Sequence, residues 1–140
     1  LKWPNDLLFN GKKTAGILCE ADDAYFYGGI GVNCNQVQFP EGLQAATSLL
    51  QISGAEIDLS ALLIRILERL KYYSVKANPW RENFDKILYK KGEMIEIREG
   101  QAVEGTLIRG KNLGIGSDGQ LLIECKDGNI EEIYAGEIEK

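Results

Sequence analysis

Three clusters of polar residues and glycines decide the fold, and they read Lys2-Trp3-Pro4-Asn5-Asp6, Lys12-Lys13-Thr14-Ala15-Gly16-Ile17-Leu18-Cys19-Glu20 and Gly28-Gly29-Ile30-Gly31-Val32-Asn33-Cys34-Asn35. Each cluster lies in a strand-like segment of the chain. We predict strand, turn and strand over Lys2–Phe9, a strand over Thr14–Ala21 and a strand over Ala24–Asn33. Turn signals at Asn10-Gly11 and Asp22-Asp23 separate these segments, so they should form an antiparallel meander.

The second and third clusters carry residues that suit a nucleotide. Lys12 and Lys13 precede a run of small and aliphatic residues whose backbone a flat ligand can approach closely. A lysine ammonium is a compact point charge suited to phosphate. In the third cluster Gly29 and Gly31 remove side chains just before Asn33, whose amide can both donate to and accept from a base edge. These patterns predict a purine pocket.

Composition excludes several classes of function. The chain has 140 residues, a formal net charge of −5 and no basic run, which argues against nucleic acid as a partner. The sequence contains no histidine, so Ser-His-Asp hydrolysis, His-ligated metals and His general bases are excluded. The three cysteines form no Cys-x-x-Cys pattern and favour reduced thiols in a cytoplasmic protein. No long apolar run and no signal peptide are present, so we expect neither a membrane span nor export.

The middle of the chain is predicted to be a loop followed by helices. Gln36–Gly54 is expected to be a loop with one helical turn at Ala45–Leu50. Asp58 is a plausible N-cap for a helix whose apolar stripe should be buried and cover the sheet. That stripe consists of Leu59, Leu62, Leu63, Ile66, Leu67, Leu70 and Tyr73. Asn78-Pro79 should begin another helix, which carries Trp80, Phe84, Ile87 and Leu88 and ends at Gly92.

From Glu93 onward the apolar residues recur with a period of two, which is typical of short strands. The segments are Met94–Arg98, Val103–Ile108, Leu121–Cys125 and Ile130–Tyr134, followed by Ala135-Gly136-Glu137-Ile138. Asp118-Gly119 and Asp127-Gly128 are hairpin turn signals. Five short strands in fewer than 50 residues suggest a small barrel.

The three clusters, in this order and spacing, resemble those of biotin protein ligases, the enzymes that join biotin to a lysine of a carrier domain. The matching motifs are Lys-Trp-Pro-Asn-Asp, Lys-x-Ala-Gly-Ile-Leu-x-Glu and Gly-x-Gly-x-Asn-x-Asn, and the similarity continues into Ala46-Thr47-Ser48-Leu49 and the β-rich tail. The resemblance implies an α+β fold. Residues 1–91 would be the C-terminal part of a class II synthetase-like catalytic domain, with helices over a partial mixed or antiparallel sheet, and residues 92–140 an SH3-like barrel.

The resemblance also implies the chemistry. Biotin and MgATP would give biotinyl-5′-adenylate and pyrophosphate, and a lysine of the biotin carboxyl carrier protein would then displace AMP. The expected small molecules are biotin, ATP and Mg²⁺. Apart from the resemblance, the sheet edge near Phe26–Ile30 is a candidate surface for binding a carrier or for pairing with a second copy of the chain as a homodimer. The Arg- and Gly-rich loop that closes over the intermediate in this family is absent from the chain. We therefore expect these 140 residues alone to be weakly active or inactive.

Site residues are carried over from the family by position. Lys13 would contact the biotin carboxylate and the α-phosphate, and Lys2 would be a supporting phosphate contact. Asp6 would lie near the reactive carbonyl, where it would hold Mg²⁺ or water or orient the carrier lysine. The expected biotin floor is Gly16, Ile17 and Leu18. The expected ATP contacts are Asn33 to adenine, Gly29 and Gly31 beneath the base, and Asn5.

Each assignment has a structural alternative. Lys13 can be a solvated turn lysine, as Lys12 is expected to be, and Asp6 and Asn5 can satisfy a turn. Gly29 and Gly31 can mark a bulge or a crowded strand crossing. Two other functions remain open: a lipoate-ligase-like acyl-adenylate transferase, and a non-catalytic scaffold that binds a carrier.

Overall fold

A computed structural model of the chain describes residues 1–43, 45–74, 80–100 and 105–139, with residues 80–82 described by their backbone alone. The chain divides into two compact units. One unit is Asp6–Asn78, and the other combines Leu1–Asn5 with Pro79–Lys140. None of the helices in the described ranges is long and apolar enough to cross a membrane.

The Asp6–Asn78 unit contains the predicted meander. Strands β1 (Asp6–Phe9), β2 (Lys12–Ala21) and β3 (Phe26–Val32) form an antiparallel sheet in the order β1-β2-β3. Asn10 and Gly11 join β1 to β2 with positive φ angles of 48° and 77°, which an Asn-Gly pair adopts readily. The meander is confirmed. Over Lys2–Phe9 the structure has a β-bridge at Lys2, a turn at residues 3–5 and strand β1, which agrees with the predicted strand, turn and strand except that the first strand is a single bridge.

The segment after β3 is mostly loop, as predicted, but its helical turn lies later than expected. Glu41–Leu43 is a short 3-10 turn, and helix α1 spans Leu49–Ser53. Ser48 caps α1 by accepting a hydrogen bond from the Gln51 amide, and Gly54 ends the helix in the left-handed region at φ 74°. The predicted turn at Ala45–Leu50 is wrong in position because main-chain pairing with β2 holds the residues before Ser48.

Helix α2 (Leu59–Ser74) begins where it was predicted, with Asp58 accepting hydrogen bonds from the Ser60 and Ala61 amides. Its apolar stripe is not buried, however. Leu59, Leu63 and Leu67 are each more than half exposed, and no residue of α2 is buried. The expectation that this helix covers the sheet, and with it the covered class II synthetase-like core, is wrong for the described residues. Periodicity shows which face of a helix is apolar and does not show what lies against that face.

The second unit contains helix α3 (Trp80–Lys86) and five strands: β4 (Met94–Glu99), β5 (Leu107–Ile115), β6 (Leu121–Cys125), β7 (Ile130–Ile133) and β8 (Gly136–Ile138). The strands form one antiparallel sheet in the order β7-β6-β5-β4-β8. Alternating residues build a core of Ile95, Ile97, Leu121, Ile123, Ile133 and Ile138. The period-two prediction is confirmed for this region.

Two predicted boundaries in this unit differ from the structure. Helix α3 ends at Lys86 and not at Gly92, and the proposed start at Asn78-Pro79 lies outside the described residues. The strand predicted at Val103–Ile108 is β5, displaced to Leu107–Ile115, with Val103 outside the described residues. A Cβ on Gly110 of β5 would lie 2.5 Å from the Glu124 carbonyl oxygen, so only glycine fits where β5 and β6 approach so closely.

The first sequence cluster is divided between the two units. Trp3 is 3% exposed within the core of the second unit, and its indole Nε1 donates to the Gly119 carbonyl at 3.0 Å. The Tyr89 amide donates to the Leu1 carbonyl at 2.7 Å and holds the terminus in the same unit. Asp6, in contrast, begins β1 of the other unit. The motif therefore combines an anchor in one unit with a carboxylate in the other.

Candidate functional site

A β-bulge brings Lys13 to the Gly16 side of the sheet. Leu7 lies opposite Ala15, but Leu8 lies opposite Lys13, so Thr14 is an extra residue on β2. Strict alternation would place Lys13 on the same side as Ala15 and away from Gly16. The extra residue reverses this, which is a common way for a sheet to redirect a functional side chain.

Lys13 and Asp6 form an ion pair beside the backbone of Gly16. Lys13 Nζ lies 2.5 Å from Asp6 Oδ1, and the two side chains are 50% and 17% exposed. Asp6 Oδ1 is buried and receives no directed hydrogen bond from the described residues, so the ammonium compensates its charge. A half-exposed ammonium held in one place is suited to receive an anion from solvent.

Asp6, Gly16 and Gly31 lie in one cross-strand row. Asp6 is opposite Gly16 on β2, and Gly16 is opposite Gly31 on β3. A Cβ built on Gly31 would have its nearest neighbour 3.9 Å away, and one on Gly29 would have its nearest at 3.8 Å. Crowding by the described residues therefore does not require glycine at either position. The result is a stretch of bare backbone next to the ion pair.

Two residues of the expected biotin floor differ from ordinary core residues. Ile17 has 36% of its surface exposed, and Leu18 has 61% exposed. Cys19 is also exposed, and all three cysteines are free. The pairing of β2 with β3 is regular here, so Leu18 lies on the Gly16 face of the sheet and Ile17 on the opposite face. The exposed Leu18 side chain therefore offers an apolar surface to a ligand beside Gly16.

Asn33 clamps the backbone around Lys13. Its Nδ2 donates to the Lys13 carbonyl oxygen at 3.3 Å and to the Thr47 carbonyl oxygen at 3.1 Å. Its main-chain amide donates to the Thr14 carbonyl at 2.9 Å. Both amide hydrogens thus have internal acceptors, whereas Oδ1 has no hydrogen bond from the described residues. These hydrogen bonds join Asn33 to the main chain of Lys13, and the contact of Asn33 with adenine stays a prediction.

Sequence reasoning missed the role of the loop before α1. The Lys13 amide donates to the Ala45 carbonyl at 2.7 Å, and the Thr47 amide donates to the Lys13 carbonyl at 2.9 Å. Lys13 and Ala46 thus form a parallel bridge. Ser48, which follows, is fully buried and donates to the Gln36 carbonyl at 2.7 Å. The signal in the sequence was Ala46-Thr47-Ser48-Leu49, which belongs to the family pattern and contains the residues that hold Lys13.

Asn35 was also missed, although it lies in the third cluster. Its Nδ2 donates to the Ile57 carbonyl at 2.9 Å, and its Oδ1 accepts from the Ile57 amide at 2.8 Å. This two-way bracket fixes the chain just before helix α2. The two asparagines of the Gly-x-Gly-x-Asn-x-Asn motif therefore both fix loops.

Lys2 has a partner in its own unit. Its side chain is largely buried, and its Nζ lies 3.2 Å from Glu137 Oε1 on β8. Asn5 is partly exposed at the end of the same terminal segment. Among the residues that the structure describes, no three Cys, Asp or Glu side chains come together as a metal cage. Asp6 is already paired with Lys13.

The chain is similar to known biotin protein ligases. Residues 92–140 match the family model "Biotin protein ligase C terminal domain". The "Bifunctional ligase/repressor BirA" of Bacillus subtilis is 38% identical over a 152-residue alignment that covers 99% of this chain and 45% of that protein. The "Biotin--[acetyl-CoA-carboxylase] ligase" of Mycobacterium tuberculosis is 40% identical over 83 residues, which cover 56% of this chain and 30% of that protein.

Solved structures of a biotin protein ligase are also similar to this chain. The apo structure of the biotin protein ligase from Aquifex aeolicus has a TM-score of 0.82 at 34% identity, covering 99% of this chain and 63% of that one. The same ligase in complex with biotin and ATP has a TM-score of 0.80 at 32% identity, with 99% and 60% covered. The chain spans about half the length of the curated relatives it matches.

Proposed function

We propose that this chain, which is homologous to biotin protein ligases along 99% of its length, acts as part of such a ligase. The reaction would join biotin to MgATP to give biotinyl-5′-adenylate and pyrophosphate. A lysine amine of a biotin carboxyl carrier protein would then displace AMP and form an amide. The observation that carries the proposal is the Lys13–Asp6 pair, held by a bulge beside bare backbone in a chain with this ancestry.

Lys13 is the proposed catalytic cation. When the biotin carboxylate attacks the α-phosphate of ATP, one anion approaches another, and negative charge builds on the phosphoryl oxygens. A positioned ammonium neutralises that charge in the transition state. Its position is set from three directions: by the bulge at Thr14, by the Asp6 carboxylate and by main-chain bonds to Ala45 and Thr47. Such fixing lowers the entropy cost of bringing the reactants together.

Asn33 and the glycines are the proposed adenine contacts. The Asn33 Nδ2 is used on the Lys13 and Thr47 carbonyls, which leaves its Oδ1 to accept from the exocyclic amine of adenine. Gly29 and Gly31 present backbone without side chains, on which a flat base can lie. Asn5 is a further proposed ATP contact. Gly16, Ile17 and Leu18 are the proposed biotin floor, supported on the Gly16 face by the exposure of Leu18.

Asp6 is proposed to act on the carrier amine. That amine must lose its proton before it attacks the adenylate, and a carboxylate nearby can accept the proton. Asp6 is also kept as a proposed contact for Mg²⁺, because Mg²⁺ is commonly held by one or two carboxylates together with substrate phosphates. The ion would arrive as part of the substrate MgATP, and Asp6 would exchange its present partner Lys13 for it.

The other unit contributes the remaining proposed features. Lys2 is kept as a second cation for phosphate, and an incoming phosphate would exchange with its present partner Glu137. The five-stranded sheet is proposed to be an SH3-like barrel, supported by the family match over residues 92–140. The β3 edge, where Phe26, Tyr27 and Ile30 are exposed, supports pairing with a second copy. A cytoplasmic location is part of the same proposal.

Labelling of a biotin carboxyl carrier domain tests the proposal. The full-length natural protein is incubated with the carrier, MgATP and radiolabelled biotin, and incorporation is measured by filter binding. A parallel reaction with lipoate and a lipoyl carrier tests the lipoate-ligase alternative. We expect ATP-dependent biotin incorporation and none from lipoate. Binding of the carrier without any incorporation would instead indicate a scaffold.

A further inference from the structure

We propose that Gly16 is a positioning residue for the reaction. Because Gly16 has no side chain, the Lys13 ammonium and the Asp6 carboxylate that binds it can occupy the space above its backbone. The inference rests on the proposed function only for its catalytic consequence. Its structural part, that the ion pair needs a glycine at position 16, stands on the geometry of β1 and β2.

The space above Gly16 is filled by the ion pair. A Cβ atom built on Gly16 would lie 3.2 Å from both Cε and Nζ of Lys13 and 3.3 Å from Asp6 Oδ1. Ordinary contacts of this kind begin near 3.4 Å. The three nearest atoms all belong to the two charged side chains, and none belongs to backbone. A methyl group at position 16 would therefore compete with the ion pair for its place.

Gly16 differs in this respect from the other glycines of the sheet. A Cβ on Gly28 would meet nothing within 4 Å, and the nearest atoms to Gly29 and Gly31 are at 3.8 Å and 3.9 Å. These three lie on β3, opposite β2. Among the described glycines of β2 and β3, Gly16 is thus the one whose size matters to another side chain. Its backbone φ lies outside the left-handed region, so alanine at position 16 strains nothing in the strand itself.

The consequence of a methyl group follows from the flexibility of lysine. The end of the Lys13 side chain is half exposed and can move into solvent, whereas the main chain of Lys13 is held by Ala45, Thr47 and Asn33. In Gly16→Ala the sheet should therefore persist while the ammonium and the Asp6 carboxylate shift by at least a few tenths of an ångström. A misplacement of about 1 Å can cost on the order of 100-fold in rate, which sets the upper end of the expected loss.

A structural readout tests this without any activity. The 13Cε chemical shift of Lys13 is measured by NMR in the unsubstituted protein and in Gly16→Ala, Asp6→Asn and Gly28→Ala. We expect Gly16→Ala and Asp6→Asn both to move the Lys13 signal toward that of the exposed neighbour Lys12, and Gly28→Ala to leave it in place. An unchanged Lys13 signal in folded Gly16→Ala would overturn the inference. Should Gly16→Ala not fold, the Asp6→Asn signal decides in the same way whether Lys13 is held there at all.

A kinetic readout separates positioning from a simple pocket role. If Gly16 seats the ammonium, Gly16→Ala lowers kcat for biotinyl-adenylate formation by about 10- to 100-fold with little change in the KM for biotin. If position 16 matters only as biotin floor, the methyl group raises the KM for biotin and leaves kcat in place, which would contradict the inference. These kinetic measurements use the full-length natural protein. A complete lack of ligase activity in that protein would refute the proposed function, and the NMR comparison would still decide the role of Gly16.

Discussion

Asn33 holds the main chain of Lys13. Its Nδ2 donates one hydrogen bond to the Lys13 carbonyl oxygen at 3.3 Å and another to the Thr47 carbonyl oxygen at 3.1 Å. One side chain thus joins the third sequence cluster to the second and ties both to the loop before α1. The amide that was predicted to recognise adenine also fixes the backbone from which the proposed catalytic lysine projects. Substrate recognition and lysine placement are therefore expected to be coupled through Asn33.

Replacing Asn33 should cost both stability and nucleotide affinity. Asn33→Ala removes the donor shared by two carbonyl groups, and we expect a loss of about 1 kcal/mol in the free energy of unfolding, measured by urea denaturation. It should also raise the KM for ATP more than the KM for biotin. Gln38→Ala, at an exposed polar position of the same unit, is the matched control and should change neither quantity. A stable Asn33→Ala protein with unaltered kinetics would show that the clamp has no role.

The turn at Asp22 should be sensitive to acid. Main-chain amides of Ala24 and Tyr25 and the Tyr27 hydroxyl donate to the Asp22 carboxylate and lower its pKa from the usual value near 3.8. Since the folded pKa is the lower one, the stabilisation is present above pH 3.8 and is lost as the pH falls through the folded value. NMR titration of the Asp22 carboxyl carbon should give a midpoint below 3.8.

In Asp22→Asn the free energy of unfolding should accordingly fall less steeply as the pH is lowered into the acid range. The neighbouring Asp23→Asn is the control, because no hydrogen bond reaches the Asp23 carboxylate from the described residues. A titration midpoint for Asp22 at or above 3.8 would contradict the predicted direction.

The core of the five-stranded unit should respond strongly to cavities. Ile123 is fully buried on β6, so Ile123→Ala should lower the free energy of unfolding by about 2–5 kcal/mol. Ile130→Ala removes the same atoms from a side chain that is 58% exposed on β7 and should change stability by less than about 0.5 kcal/mol. Both are measured by urea denaturation followed by tryptophan fluorescence. Equal losses in the two variants would mean that this core is not assembled as described.

The elements that the sequence predicted well are those set by local chemistry. Asn10-Gly11 needs two positive φ angles and made the first hairpin visible. Asp58 marked the start of α2 through its side-chain oxygen. The alternation around Ile95 and Ile97 identified β4, because one face of that strand is buried and the other is not. Each of these signals operates over a few residues.

The features that were not predicted depend on contacts between different elements. The bulge at Thr14 is set by the pairing of β1 with β2, and alternation alone could not say which side of the sheet Lys13 occupies. The course of β5 through Gly110 depends on the close approach of β6, which the sequence of β5 does not show. The apolar stripe of α2 was predicted to be buried and is exposed, because amphipathicity gives no information on what packs against a helix.

The most direct test measures biotin-dependent exchange of labelled pyrophosphate into ATP by the full-length natural protein, which reports adenylate formation alone. Lys13→Ala is compared with Lys12→Ala, which removes the same charge from the exposed neighbour. We expect Lys13→Ala to lower the exchange rate by about 100- to 1,000-fold, while Lys12→Ala stays near the unsubstituted rate. Exchange at the unsubstituted rate in Lys13→Ala would contradict the assignment of this lysine as the cation that activates biotin.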